Sequence, residues 1–239
     1  MTDVVFWFVA GGAVLIGAAV QSSVGIGLGL VAAPVVALLE PSLMPGTVLI
    51  TTAILPFMTL ASEWRHVDLR GIGWALAGRM VGVAGGVWIV TVLSARTLAM
   101  AVGVMVLVAV AVTLSKVHVR ATPATLGTAG LLSGVAGTST SIGGPPMAIV
   151  YQHEPGPRVR SSLSVYFIVG VTVSLIALRG GGHLGQNVIV TGLGLAPFVL
   201  IGFWLARPLR RHVDGQILRY GLLAVAALGA LVLLVQSIT

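Results

Sequence analysis

The sequence predicts an all-α integral membrane protein built from two inverted repeats, each a broken helix or hairpin followed by three transmembrane helices. Three observations carry that expectation. Of 239 residues, 57% are hydrophobic and 8% are charged, with a mean hydropathy of +1.08. Soluble domains carry about 25% charged residues; the 13 Lys and Arg with 6 Asp and Glu here cannot clothe a water-soluble body of this size. Apolar stretches of bilayer-crossing length recur along the chain. A Gly- and Ser-rich break interrupts that apolar sequence twice, in matching places.

The first hairpin is expected over 4–39, with spans at 45–62, 71–93 and 97–115. The second is expected over 124–152, with spans at 160–178, 184–205 and 216–236. All six spans approach the roughly 20 apolar residues a crossing needs. The first break reads Gln21-Ser22-Ser23-Val24-Gly25-Ile26-Gly27-Leu28-Gly29, with Pro34 after it. The second reads Gly137-Thr138-Ser139-Thr140-Ser141-Ile142-Gly143-Gly144-Pro145-Pro146. Neither holds a charge. Shifting the chain by 112 residues superposes Gly25 on Gly137, Pro34 on Pro146 and Pro45 on Pro157. The chain therefore reads as two related halves, 1–116 and 117–239. Its 32 glycines favour close helix packing and broken helices. Pro56 and Pro197 are expected to kink their helices.

Charge sets the expected topology. The loop with Lys116 and Arg120 and the loop with Arg207, Arg210 and Arg211 are both basic, hence cytoplasmic. Two full spans and the second break lie between them, so that break must enter and leave on one side. The same logic puts Arg65, Arg70, Arg158 and Arg160 inside and leaves Arg96 and Arg179 outside, with Arg79 and Arg219 within helices. Each half then crosses an odd number of times, so the halves run in opposite directions, the first hairpin entering from outside and the second from the cytoplasm. Such hairpins meeting near the midplane are the architecture of secondary transporters. One feature strains this layout: an arm of about 17 residues reaches about 25 Å, past the midplane, unless it tilts or starts in the interface. Met1-Thr2-Asp3 lacks a basic n-region, so the first apolar stretch is expected to be a retained helix. The net charge of +7 reads as loop charge in a plasma (inner) membrane protein, because no Lys/Arg run exceeds two residues.

Irregular backbone inside hydrocarbon must line a cavity or be buried in protein. Free N–H groups at a half-helix start, at the positive end of its dipole, suit an anion. The breaks offer Gln21, Ser22, Ser23, Gly25, Thr138, Ser139, Thr140, Ser141 and Gly143 as donors or backbone contacts, and no carboxylate, which fits an oxyanion better than a metal cation. Thr51 and Thr52 follow the first hairpin as Ser161, Ser162, Ser164 and Tyr166 follow the second; isolated helix hydroxyls also serve as interhelical glue. Arg79 sits about nine residues into its span, and an intramembrane charge is a functional candidate by default. Its expected partners are an anion or the tip carbonyls, while Gly78, Gly82 and Gly86 could equally bury it by close packing. All six acids fall at helix ends or in loops, leaving no mid-span carboxylate to carry a proton or hold sodium. Export of an anion down an inside-negative potential, about 2.3 kcal/mol per charge per 100 mV, would need no coupling ion.

No enzyme is expected: there is no Gly-x-Ser-x-Gly elbow, no His-Glu-x-x-His and no cysteine. The five histidines (66, 118, 153, 183 and 212) fall in expected loops without i,i+4 pairing, so neither a metal site, a catalytic residue nor a cofactor is expected. The expected partners are a small anionic substrate and the lipid bilayer, with no nucleic acid; oligomeric state stays open, a homodimer included.

These residues resemble the sulfite exporter TauE/SafE family. The first half carries Gly25-Ile-Gly-Leu-Gly29 with Pro34, the Val48-Leu-Ile-Thr51-Thr52 helix start, the Arg65-His66-Val67-Asp68 loop and the glycine-rich Gly78–Gly86 helix. The second carries Gly134-Val-Ala-Gly137 through Gly143-Gly144-Pro145-Pro146 and the Arg160–Phe167 helix start. Arg79 and the Gln21-Ser-Ser of the first break are departures from the family's pattern. The resemblance implies export of a sulfur-containing oxyanion, such as sulfite, sulfoacetate or a related organosulfonate, by alternating access. A passive anion channel, or a carrier of another small organic anion, would use the same residues.

Overall fold

Helices form wherever the sequence runs apolar, because backbone that cannot reach water must satisfy its own N–H and C=O groups. The computed structural model describes residues 4–115, 119–212 and 215–238. Its helices are α1 (Val4–Val24), α2 (Leu28–Leu39), α3 (Gly46–Glu63), α4 (Leu69–Val92), α5 (Ala95–Leu114), α6 (Pro123–Thr140), α7 (Gly144–Tyr151), α8 (Gly156–Gly180), α9 (Gln186–Gly194), α10 (Ala196–His212) and α11 (Gly215–Ile238). Among the described residues there is no strand. Seven segments there are long and apolar enough to cross a bilayer: α1, α3, α4, α5, α8, α9 with α10, and α11.

The differences from the expected elements have local causes. α1 has 21 residues, about 31 Å at the standard helical rise, so the first arm is longer than the sequence suggests. α8 starts at Gly156, ahead of residue 160, because Pro157 fits a first helical turn, where its missing N–H is not needed. The span expected over 184–205 is two helices broken at Leu195, since the Pro197 ring crowds the carbonyl of Leu193. α10 then runs on to His212, past the expected loop. Asp3, Lys116, His118 and Asp214 lie outside the described residues, as do the side chains of Arg207, Arg210, Arg211, His212 and Arg219.

Both breaks fold back. A Cβ on Gly17 would lie 2.9 Å from the Leu28 Cα, so α2 returns along α1. The turn uses Gly25 (φ 97°) and Gly27 (φ 148°), conformations a side chain would resist. α6 ends at Ser141 in the left-handed region (φ 64°), and α7 begins three residues later.

The two hairpins belong to opposite ends of the bundle. At one end Tyr151, closing α7, donates to Asp68 at the start of α4. There Arg160 holds Glu63 through Nη2 at 2.7 Å, and Arg158 faces Asp68 and Glu154. At the other end Trp7, near the start of α1, and Glu40, capping the end of α2, share a cleft of about 840 Å³ with His183 and Asn187. Arg96 and Arg179 also lie at that end, donating to the carbonyls of Ser237 and Leu184.

Packing pairs the helices in an exchangeable pattern. α4 lies on α6 as α10 lies on α1; α4 meets α8 as α9 meets α3; α6 folds on α7 as α1 folds on α2. α2 meets α11 as α7 meets α5, and α3 with α8 and α5 with α11 pair across the halves. The tightest seam is α4–α6, where Gly78, Gly82 and Gly86 meet Gly127, Leu131 with Gly134, and Thr138 in turn.

Candidate functional site

The two breaks touch. A Cβ on Gly29 would stand 2.5 Å from the Ser141 carbonyl oxygen, and one on Gly144 would stand 3.1 Å from Ile26 Cγ2. Their depth reads off α8: Gly25 faces Val159 and Leu163, Gly144 faces Phe167, Arg79 meets Gly170, and Thr138 bonds Ser174 at 2.8 Å. Since α8 runs from Gly156 to Gly180, the breaks overlap around its middle. Between them lies a cavity of about 40 Å³, lined by Gln21, Gly27, Thr52, Arg79, Ser141 and Gly143 among others. A water needs roughly 10–15 Å³ measured this way, so the space suits a few waters or one small polyatomic ion.

Arg79 dominates its chemistry. The side chain is 1% exposed. Nη1 donates to Ser133 Oγ at 3.2 Å, and Ser133 Oγ donates to the Gly143 carbonyl at 2.5 Å. The guanidinium carbon sits 4.8 Å from the Tyr166 ring centre, a cation–π contact. Nη2 lies beside Gly137, where a Cβ would be 3.4 Å away. Nε has no hydrogen-bond partner. Among the described residues no carboxylate pairs with this charge: Glu63, Asp68 and Glu154 are held by Arg158 and Arg160 at one end, and Glu40 accepts from Ser42 at the other. A buried charge without a counter-ion is costly, and such a group in a membrane span marks a pathway or a ligand.

The other expected site residues divide into two sets. Gln21, Thr52, Ser141 and Gly143 line the cavity with Arg79. Gln21 Oε1 accepts from the Leu28 N–H at 2.9 Å and so caps α2, taking one of the donors the sequence suggests for a ligand. Ser141 Oγ donates to the Pro45 carbonyl at 2.9 Å, tying the second break to the start of α3. Gly25 lies deeper toward the Glu63–Arg160 end, under the Arg160 stem.

The second set spends its hydroxyls on backbone. Ser22, Ser23, Thr51, Ser139, Thr140 and Ser164 each donate to the carbonyl four residues back; Thr52, though it lines the cavity, likewise donates its proton to the Leu49 carbonyl. Thr51 also reaches the Gly192 carbonyl at 3.2 Å, joining α3 to α9. Tyr166 is fully buried, with its ring under Arg79 and its hydroxyl 3.4 Å from the Gly130 carbonyl. Pro145 and Pro146 remove two N–H groups from the first turn of α7. Donor capacity at the site therefore rests more on Arg79 than on freed backbone.

Sequence reasoning missed Ser133 and Gly170. The signal for Ser133 was the glycine register: aligning Gly78 and Gly82 on Gly127 and Gly134 places that serine, the polar residue next to Gly134, beside Arg79. Gly170 carries no such mark in an otherwise ordinary apolar helix.

Neither the curated proteins nor the solved structures give a match to this chain. A family profile described as Sulfite exporter TauE/SafE matches residues 9–233. With its all-helical fold and seven membrane-length segments, the chain is a multi-pass membrane protein and belongs to the sulfite exporter TauE/SafE family.

Proposed function

We propose that the protein carries a small sulfur-containing oxyanion, sulfite or a sulfonate, through the cavity between the two breaks. The observation that carries this reading is the buried, acid-free environment of Arg79. A guanidinium presents a planar fork of donors that suits an oxyanion, and Ser133 and Tyr166 hold it in place. Arg79, Gln21, Thr52 and Ser141 contact the anion, and Gly143 supplies backbone. Transport of sulfur anions is what the family description suggests.

The reading extends to mechanism. The exchangeable packing pattern supports a duplicated chain, with halves 1–116 and 117–239 in opposite orientation. Hairpins from opposite ends, overlapping at a shared site, are what alternating access uses. The end carrying Arg65, Arg70, Arg158 and Arg160 faces the cytoplasm of a plasma-membrane protein. Glu63–Arg160 closes over Gly25 there, while the Glu40–Asn187 cleft gives the outer approach.

The test is thermal stabilisation of the purified protein by sulfite, sulfoacetate, taurine, thiosulfate and sulfate, followed by flux into proteoliposomes. Saturable stabilisation and saturable flux with sulfite or a sulfonate support a carrier. Flux that rises linearly with substrate and shows unitary currents would make the pathway a channel. No stabilisation by any of the five would remove sulfur oxyanions as the cargo.

A further inference from the structure

We propose that the carrier works as an anion exchanger: it reorients with a monovalent anion on Arg79, returns with another, and moves slowly when empty. This rests on the cavity being the anion site, and goes beyond it to coupling and charge.

The argument starts from charge balance. Arg158 and Arg160 have acids within 4 Å at the bundle end, whereas Arg79 has none among the described residues and its Nε is unpartnered at 1% exposure. A guanidinium, unlike an ammonium or an imidazolium, has no accessible neutral form. Among the described residues nothing carries the opposite charge to the site, so an anion brought in compensates it. One anionic charge balances it; a second would be left over in the same dry space.

The surroundings determine when that balance matters. Arg79 rides on α4, whose backbone is locked to α6 through Gly78, Gly82, Gly130 and Gly134, so it belongs with the second break. Gln21 and Gly29, on the first break, form the facing wall. Alternating access slides one break past the other and closes the site from water on the way. With a monoanion bound, the moving site is neutral. Empty, the same step takes a bare guanidinium through the dehydrated intermediate, and desolvation penalises it. The loaded carrier therefore turns over faster than the empty one, and net efflux waits on the empty return. Anion-for-anion exchange does not.

The experiment uses purified full-length protein in proteoliposomes loaded with radiolabelled sulfite in mildly acidic buffer, where the hydrogensulfite monoanion dominates. Efflux is followed into buffer containing unlabelled sulfite, methanesulfonate, sulfate or the bulky anion gluconate, with potassium and valinomycin clamping the potential. External sulfite or methanesulfonate should accelerate efflux about tenfold, equivalent to about 1.4 kcal/mol of barrier, while sulfate and gluconate should not. Exchange should be indifferent to the clamped potential, because no net charge moves. Arg79→Lys, which keeps the charge, should retain the acceleration at reduced affinity; Arg79→Gln should lose it, with equal efflux into every buffer. Equal efflux by the wild type into sulfite and gluconate would overturn the exchange proposal, as would acceleration by sulfate equal to that by methanesulfonate. Sulfite binding measured on the same preparations separates the two layers: binding that needs Arg79 without acceleration sinks exchange alone, and binding indifferent to Arg79→Gln sinks the site itself.

Discussion

Arg79 and Gly170 meet so closely that no side chain fits between them: a Cβ on Gly170 would fall on Nε, Cδ and Cζ of Arg79. Glycine on α8 therefore makes room for the charge on α4. Gly170→Ala is expected to push the guanidinium off Tyr166 and weaken sulfite binding about tenfold, or about 1.4 kcal/mol. Gly180→Ala adds its methyl to open space on the same helix and should change nothing. Calorimetric titration of both variants provides the comparison.

Ser133 holds both Arg79 and the second break. Ser133→Ala leaves Arg79 Nη1 and the Gly143 carbonyl without their shared partner. Leaving buried polar groups unpaired costs about 1–3 kcal/mol, so both thermal stability and anion affinity should fall. A variant with lower stability and wild-type affinity would make Ser133 a structural residue only.

The α4–α6 seam tolerates no added carbon. A Cβ on Gly82 would meet the Leu131 carbonyl and stand 2.9 Å from Gly134 Cα, and one on Gly130 would meet the Ala75 carbonyl. Gly82→Val and Gly130→Val should cost more than the roughly 1–3 kcal/mol usual for overpacking, because the obstruction is backbone. Gly73→Ala, on the same α4 helix with nothing within 4 Å, is the control. Size-exclusion profiles of detergent-extracted protein should show aggregation for the first two and a single folded peak for the third.

The chain has no cysteine, so single-cysteine labelling reads orientation cleanly. Ser62→Cys, exposed at the Glu63–Arg160 end, should react with a membrane-impermeant maleimide only after the cells are opened. Ser42→Cys, exposed at the opposite end, should react in intact cells. The reverse pattern would invert the assigned topology.

Much of the fold was legible because its signals are local. Uninterrupted apolar runs mark helices, and the glycines and serines of 21–29 and 137–146 mark where they break. Arg79 was legible as a charge too far from either end of its span to reach water. What surrounds Arg79 was less so, because packing between distant segments decides it. Hydroxyl donors in a break look available on paper, yet Ser139 and Thr140 bond the carbonyls of Val135 and Ala136 instead. An α-helix offers every serine and threonine that local acceptor, and no sequence pattern states which residues decline it. Ser133 does decline it, and only its register against Gly82 places it beside the guanidinium.

The most direct measurement is a sulfite titration of the wild type, Arg79→Gln and the Ser139→Ala/Thr140→Ala double variant, side by side. The wild type should show one saturable site. Arg79→Gln should bind about 10–100-fold more weakly, the loss expected for hydrogen bonds to a charged group at about 1.5–3 kcal/mol. The double variant should match the wild type, since neither hydroxyl lines the cavity. Wild-type affinity in a folded Arg79→Gln protein would contradict the assignment of Arg79 as the anion's partner.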